Sequence, residues 1–243
     1  MKIKTILFSL AFISLFSCKK ETIETPAPTL LYDISGSVNL YDDGVTMVSD
    51  SGMLVSIEGS NPFVSATTDA NGDFRLEEVE KGTYTLSYSK TGYGTYKIFG
   101  VDHTTNDPTI ITMTPSLGQK SATQVSMTQA NIINDTVVIT ANTNPTGNIG
   151  TSVYTRLLFS KNSNLGAMNF EYSTPVYVSN NNPISFRFSA AELISIGFQK
   201  GDKIYVNVSR ESFWGNDYFD PSMGHQIFPN LLYSAEIVDF IVP

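Results

Sequence analysis

The chain has 243 residues, with 23 acidic against 15 basic side chains and a formal charge of −8. That balance speaks against nucleic-acid binding, where affinity comes largely from Lys and Arg neutralising phosphates, and against adhesion to anionic lipid through surface charge. A single cysteine and two histidines leave no disulfide framework and no thiolate metal site, so ordinary burial has to hold the fold together.

Lys2 and Lys4 precede an apolar run from Ile6 to Phe16. The run is shorter than the ~20 residues a bilayer-spanning helix needs, so residues 1–17 read as an export signal that leaves the fold. Leu15-Phe16-Ser17-Cys18 resembles the lipobox of bacterial lipoproteins. The resemblance implies that Cys18 carries several fatty acyl chains such as palmitate, which would hold the protein on a membrane. An ordinary secretory peptide is the alternative; a free thiol at a mature terminus is a reactive liability in an oxidising compartment, which favours the thioether. Lys19, where an inner-membrane lipoprotein carries Asp, resembles lipoproteins forwarded to the outer membrane of a Gram-negative envelope and leaves the leaflet open. Removing residues 1–17 takes away two lysines and no acid, moving the charge from −8 to −10. Residues 18–31, rich in Pro, Thr and Glu, then form a lipidated tether.

From Tyr32 onward short runs of Val, Ile, Thr, Tyr and Phe alternate with Gly, Asn, Asp and Pro, the rhythm of a β-sandwich. The first unit, residues 32–115, offers strands over 34–38, 53–57, 63–68, 73–76, 83–88, 96–101 and 110–113. Asp69-Ala70-Asn71-Gly72 has the turn chemistry of a tight hairpin. Phe74, Leu76, Tyr84 and Leu86 face one core by alternation. An EF-hand-like spacing of Asp69, Asn71, Asp73 and Glu80 is broken by Phe74 at the position that requires Gly, so the turn reading is preferred and no metal is expected.

Ile34-Ser35-Gly36-Ser37-Val38, Thr68 to Phe74, Gly82-Thr83-Tyr84-Thr85-Leu86 and Gly92-Tyr93 together resemble the carboxypeptidase regulatory-like domain. The resemblance implies a prealbumin-type β-sandwich and no catalysis, since the zinc and its ligands belong to a separate catalytic domain in that family. Residues 41–52 are longer than the family's usual link and lack its proline. They read as a tolerated insertion in preference to a contact surface.

Residues 116–122 form a polar break. A second unit, 123–243, reads as strands over 124–128, 136–141, 153–159, 174–178, 184–188, 203–208 and 235–241, similar in strand count to an immunoglobulin or fibronectin III sandwich. Ser189-Ala190-Ala191-Glu192 has capping-box spacing and predicts one helical turn before Gly197.

The chemistry-bearing residues are few. His103 and His225 fall in different units, and no Gly-x-Ser-x-Gly elbow, His-Glu-x-x-His or phosphate-cradling loop appears; no enzymatic activity and no cofactor are expected. The most suggestive stretch runs from Ser212 to Pro221 and holds the only tryptophan. Phe213, Trp214 and Tyr218 supply rings that stack on an apolar ligand face, and Asn216 and Asp217 supply groups that bond its hydroxyls. Alternatively, Phe213 and Tyr218 plug the open end of the sandwich and Trp214 covers its rim. The chain thus reads as an all-β protein of two β-sandwiches, anchored by lipid. Its expected role is non-catalytic binding of a glycan, peptide or envelope protein, or assembly with a partner through exposed strand edges.

Overall fold

The computed structural model describes residues 31–144 and 152–243; the expected export signal, Cys18 and nearly all of the expected tether lie outside the described residues. Among the described residues the protein is all-β apart from one short helix, and its strands pack as two β-sandwiches with separate cores.

In the first sandwich, Tyr32–Ser37 lies antiparallel to Asp73–Val79 and parallel to Thr109–Ile110. The opposite sheet runs Ser65–Thr67, Leu54–Ile57, Gly82–Ser89, Tyr96–His103, all antiparallel. The alternation read from the sequence holds, because Phe74, Leu76 and Leu86 are buried together and Tyr84 packs against them. The turn at Asp69–Gly72 also forms. Its Asp69 carboxylate accepts the Asn71 and Asp73 N–H groups at 2.8 and 3.0 Å, and Gly72 takes φ +82°. It does not close a hairpin, however: Ser65–Thr67 pairs within one sheet and Asp73–Val79 within the other. The Val38 N–H donates to the Gly72 carbonyl at 3.1 Å, which draws the chain across to the facing sheet.

In the first sandwich two short strands escape the sequence reading. Asn39–Tyr41 pairs in parallel with Ser116–Gly118, which lies in the expected polar break. A lone Leu between Ser and Gly shows no periodicity, yet Leu117 is buried in the first core.

In the second sandwich, Gln124–Ile133, Thr136–Asn144 and Ile184–Ser189 form one antiparallel sheet. In the other, Val153–Ser160 lies between Lys203–Arg210 on one side and the short Tyr172–Ser173 and Tyr177–Ser179 on the other. Val238–Ile241 extends this sheet beyond Lys203–Arg210. Between the sheets Ile139, Leu157, Phe159 and Val206 are fully buried, with Phe159 edge-on to Phe188 at 5.2 Å. The capping box is as the spacing predicts: Ser189 Oγ accepts the Glu192 N–H at 3.2 Å, the Glu192 carboxylate accepts the Ser189 N–H at 2.7 Å, and the helix runs Ala190–Ser195.

Val153–Ser160 is buried along its whole length. By alternation Val153, Leu157 and Phe159 face the core while Tyr154, Arg156 and Leu158 face the other way. That outer face is roofed by the excursion that leaves Lys203–Arg210 at Glu211 and returns at Val238; Leu158 packs there with Leu165 and Phe228. The same excursion carries the aromatic stretch and meets the first sandwich.

Candidate functional site

Two buried asparagines join the sandwiches. The Asn216 side chain accepts the Gly118 N–H at 2.8 Å and donates to the carbonyls of Gly94 and Gly118, each at 3.2 Å. It also donates to the Asn230 side-chain oxygen at 3.1 Å. Asn230 in turn accepts the Gly94 N–H at 2.7 Å and donates to Gly118 O at 2.9 Å, Ser212 Oγ at 2.6 Å and Trp214 O at 3.1 Å. Every polar atom of both amides is therefore satisfied, the condition for burying them without penalty. Asn216 sits at φ 56°, a left-handed conformation that Asn tolerates better than most residues. Gly94 has to be glycine because a Cβ there would lie 2.5 Å from both the Pro229 backbone and the Asn230 amide oxygen.

Residues 41–52 form part of the same junction, which corrects the reading of an idle insertion. The Asp43 carbonyl accepts the Phe213 N–H at 2.9 Å, and the Asp43 carboxylate accepts the Ser121 hydroxyl at 3.0 Å. Tyr41 stacks on Trp214 with ring centroids 5.2 Å apart. Farther along, Tyr218 packs edge-on to Tyr96 at 6.1 Å and against Phe99 at 5.8 Å. The aromatic stretch thus neither plugs the end of its own sandwich nor stands free; it is pressed against the neighbouring one.

The contact leaves a cleft of about 590 Å³ between the sandwiches. Tyr96, Leu117, Phe213 and Trp214 wall it, Arg156 reaches it, and Asp217 stands at its border. Arg156 is held hard from behind. Its Nε donates to the Glu211 carboxylate at 3.3 Å, its Nη1 donates to the Thr174 carbonyl at 2.6 Å, and its guanidinium lies 4.0 Å over the Phe228 ring. The Glu211 side chain is 0% exposed and that of Arg156 8%, so this is a desolvated pair. Burial pushes the Glu211 carboxyl up from 4.5 to about 7, against the lowering pull of Arg156 and of the Ser212 N–H, with Asp217 raising it further. Burial also raises the Tyr96 hydroxyl, with Asp217 adding to the effect.

Of the residues expected to bind ligand, Phe213, Trp214 and Asp217 come together at this cleft. Asn216 touches it too, but its amide is spent on the junction, and Tyr218 lies outside the wall. Tyr96, Arg156, Glu211 and Asn230 carried no sequence signal, because each acquires its role only through partners far along the chain. His103 is buried with its ring nitrogens 2.7 Å from the Thr109 hydroxyl and 3.3 Å from the Val79 carbonyl. His225 stands edge-on to Phe170 at 5.9 Å. Among the described residues no group of three or more His, Cys, Asp or Glu side chains is placed to hold a metal ion.

The sequence profile of the carboxypeptidase regulatory-like domain matches residues 34–116, most of the first sandwich up to the start of Ser116–Gly118. None of the curated proteins compared with the chain matches it. Among solved structures the chain is similar to an interface mutant of a type II cohesin–X-dockerin complex from Acetivibrio cellulolyticus. That match has 26% identity and a TM-score of 0.31, and covers 37% of this chain and 58% of that one. A DUF3823 family protein from Parabacteroides merdae is similar at 12% identity over 87% of this chain and 99% of that one, TM-score 0.28. A protein of Bacteroides uniformis provisionally named for carbohydrate binding is similar at 10% identity over 88% and 100%, TM-score 0.29. At such TM-scores these likenesses carry nothing about function.

Proposed function

We propose that the protein is a non-catalytic binding protein of a Gram-negative envelope, tethered to the outer membrane through acylated Cys18, with the cleft between its sandwiches as the ligand seat. The cleft carries this reading: its volume is of the size that holds small ligands or a few residues of a polymer, and its walls combine rings with a few fixed polar groups. A captured glycan is the ligand class that best suits stacking faces beside hydroxyl partners.

Trp214 is the only tryptophan, so its fluorescence reports on the cleft directly. Titration with a panel of polysaccharides is expected to give a saturable change, and Phe213→Ala to weaken binding about tenfold through loss of one stacking face. A Trp214 signal that stays flat across the panel would remove the reading. The anchor is tested separately: radiolabelled palmitate should mark the wild-type chain and not Cys18→Ala, which should leave the membrane fraction. Retention of the variant would end the lipoprotein assignment.

The alternative, assembly with a partner by strand addition, is favoured by one feature. Among the described residues Tyr177–Ser179 pairs with Val153–Ser160 alone, and it exposes Tyr177 and Val178. A stoichiometric partner lost on Val178→Pro would support it, because proline removes an edge donor.

A further inference from the structure

We propose that the cleft selects acidic glycans, with Arg156 as the seat of a uronate carboxylate and Glu211 taking up a proton as the ligand enters. This rests on the reading of the cleft as a ligand seat and names what that seat discriminates.

The guanidinium is the starting point. Glu211 occupies Nε and the Thr174 carbonyl occupies Nη1, whereas Nη2 bonds nothing among the described residues. The side chain is nevertheless more than nine-tenths buried and borders the cleft. With its plane fixed by Phe228 and two nitrogens engaged, the group loses little freedom on accepting a ligand. A carboxylate is the natural partner for a desolvated guanidinium nitrogen.

Electrostatics decides when that partner is welcome. With Glu211 ionised, the pair is neutral overall and Asp217 at the border leaves the site net negative, so a second carboxylate is repelled. With Glu211 protonated, the Arg156 charge is uncompensated and the site accepts an anion. The groups facing Glu211 are Arg156 from Val153–Ser160, and Asp217 and the Ser212 N–H from its own excursion. His225 is separated from Arg156 by the Phe170 and Phe228 rings. Glu211 changes charge near pH 7, while Tyr96, raised by burial, stays neutral there.

The walls point to a sugar rather than a peptide. Tyr96 and Trp214 line the cleft beside Ser116 and Asp217, which lie at hand for a pyranose's hydroxyls. An extended peptide needs backbone partners, but the nearby backbone groups of Gly94, Gly118 and Trp214 are consumed by Asn216 and Asn230.

The test is calorimetric titration of the full chain with trigalacturonic acid, its methyl ester and a neutral glucan at pH 8 and pH 6. The acid stays ionised throughout this range. Its affinity should rise roughly tenfold from pH 8 to pH 6, following the fraction of Glu211 that is protonated, while the ester shows no such change. Glu211→Gln should bind the acid at pH 8 as the wild type does at pH 6, and His225→Asn should keep the wild-type pH response. Three results would overturn the inference and leave the cleft as a ligand seat: equal binding of acid and ester, a pH response that survives in Glu211→Gln, or binding of the neutral glucan alone. Silence from all three ligands at both pH values removes the seat and the inference together.

Discussion

Asn230→Ala is expected to destabilise the protein by about 3 kcal/mol and to uncouple the two sandwiches. The Asn230 side chain makes five hydrogen bonds across or beside the junction, and it is fully enclosed. Most of its partners keep a second bond: Gly118 O retains Asn216, and Trp214 O retains the Ser212 hydroxyl at 3.0 Å. Gly94 N–H does not, because Asn230 is its acceptor, and an orphaned buried donor costs more than the bond it lost. For a chain of this size the loss corresponds to a fall in melting temperature of roughly 8 °C. Calorimetry should show one transition for the wild type and two for the variant, and the Gly94 amide should lose its protection from hydrogen exchange. A variant that melts as one unit within a degree or two of wild type would mean that the aromatic contacts at Trp214 and Tyr218 hold the junction by themselves.

The junction also marks the limit of what could be read from the chain alone. Features that close within a few residues were legible: the Asp69 turn with its side-chain acceptor, the Ser189–Glu192 box, the period-two burial of Phe74 and Leu76. Each depends on backbone geometry that neighbouring residues determine among themselves. The Val153–Ser160 strand is legible as a strand and illegible as a site, because Arg156 finds Glu211 55 residues away and Asn230 finds Gly118 112 residues away. The stretch around Trp214 does stand out in the sequence, as rings that either stack on a ligand or plug the end of their own sandwich. The sequence could not say what covers them, and the loop of Tyr41 that does so looked like spare length. Asn230 in Phe228-Pro229-Asn230-Leu231 has the appearance of an ordinary turn residue, and nothing local distinguishes it from the asparagines that are.

The pair beneath the cleft should make stability depend on pH in a direction opposite to that of ordinary carboxylates. Glu211 titrates at about 7 in the folded chain against 4.5 when exposed. The folded state therefore binds the proton more tightly, and the group's contribution is fully present below pH 4.5 and lost as pH rises through 7. Between pH 5 and pH 8 the wild type should lose about 2 kcal/mol on this account, and Glu211→Gln should flatten the profile. Arg156→Met keeps the volume and the packing on Phe228 but strips Glu211 of its counter-ion, leaving a buried carboxyl with little besides the Ser212 N–H. Breaking a buried pair from one side costs about 4 kcal/mol when the remaining charge is ionised. Loss of Arg156 also raises the Glu211 carboxyl further, so proton uptake holds the cost at pH 8 below that figure; at pH 5, where Glu211 is already neutral, the variant should come closer to wild type, and Arg156→Met with Glu211→Gln should recover much of the loss at pH 8. Urea unfolding of the four proteins at the two pH values closes the cycle. If Arg156→Met costs the same at pH 5 as at pH 8, Glu211 carries no charge in the folded chain at pH 8, and Arg156 then serves the fold through Thr174 and Phe228 alone.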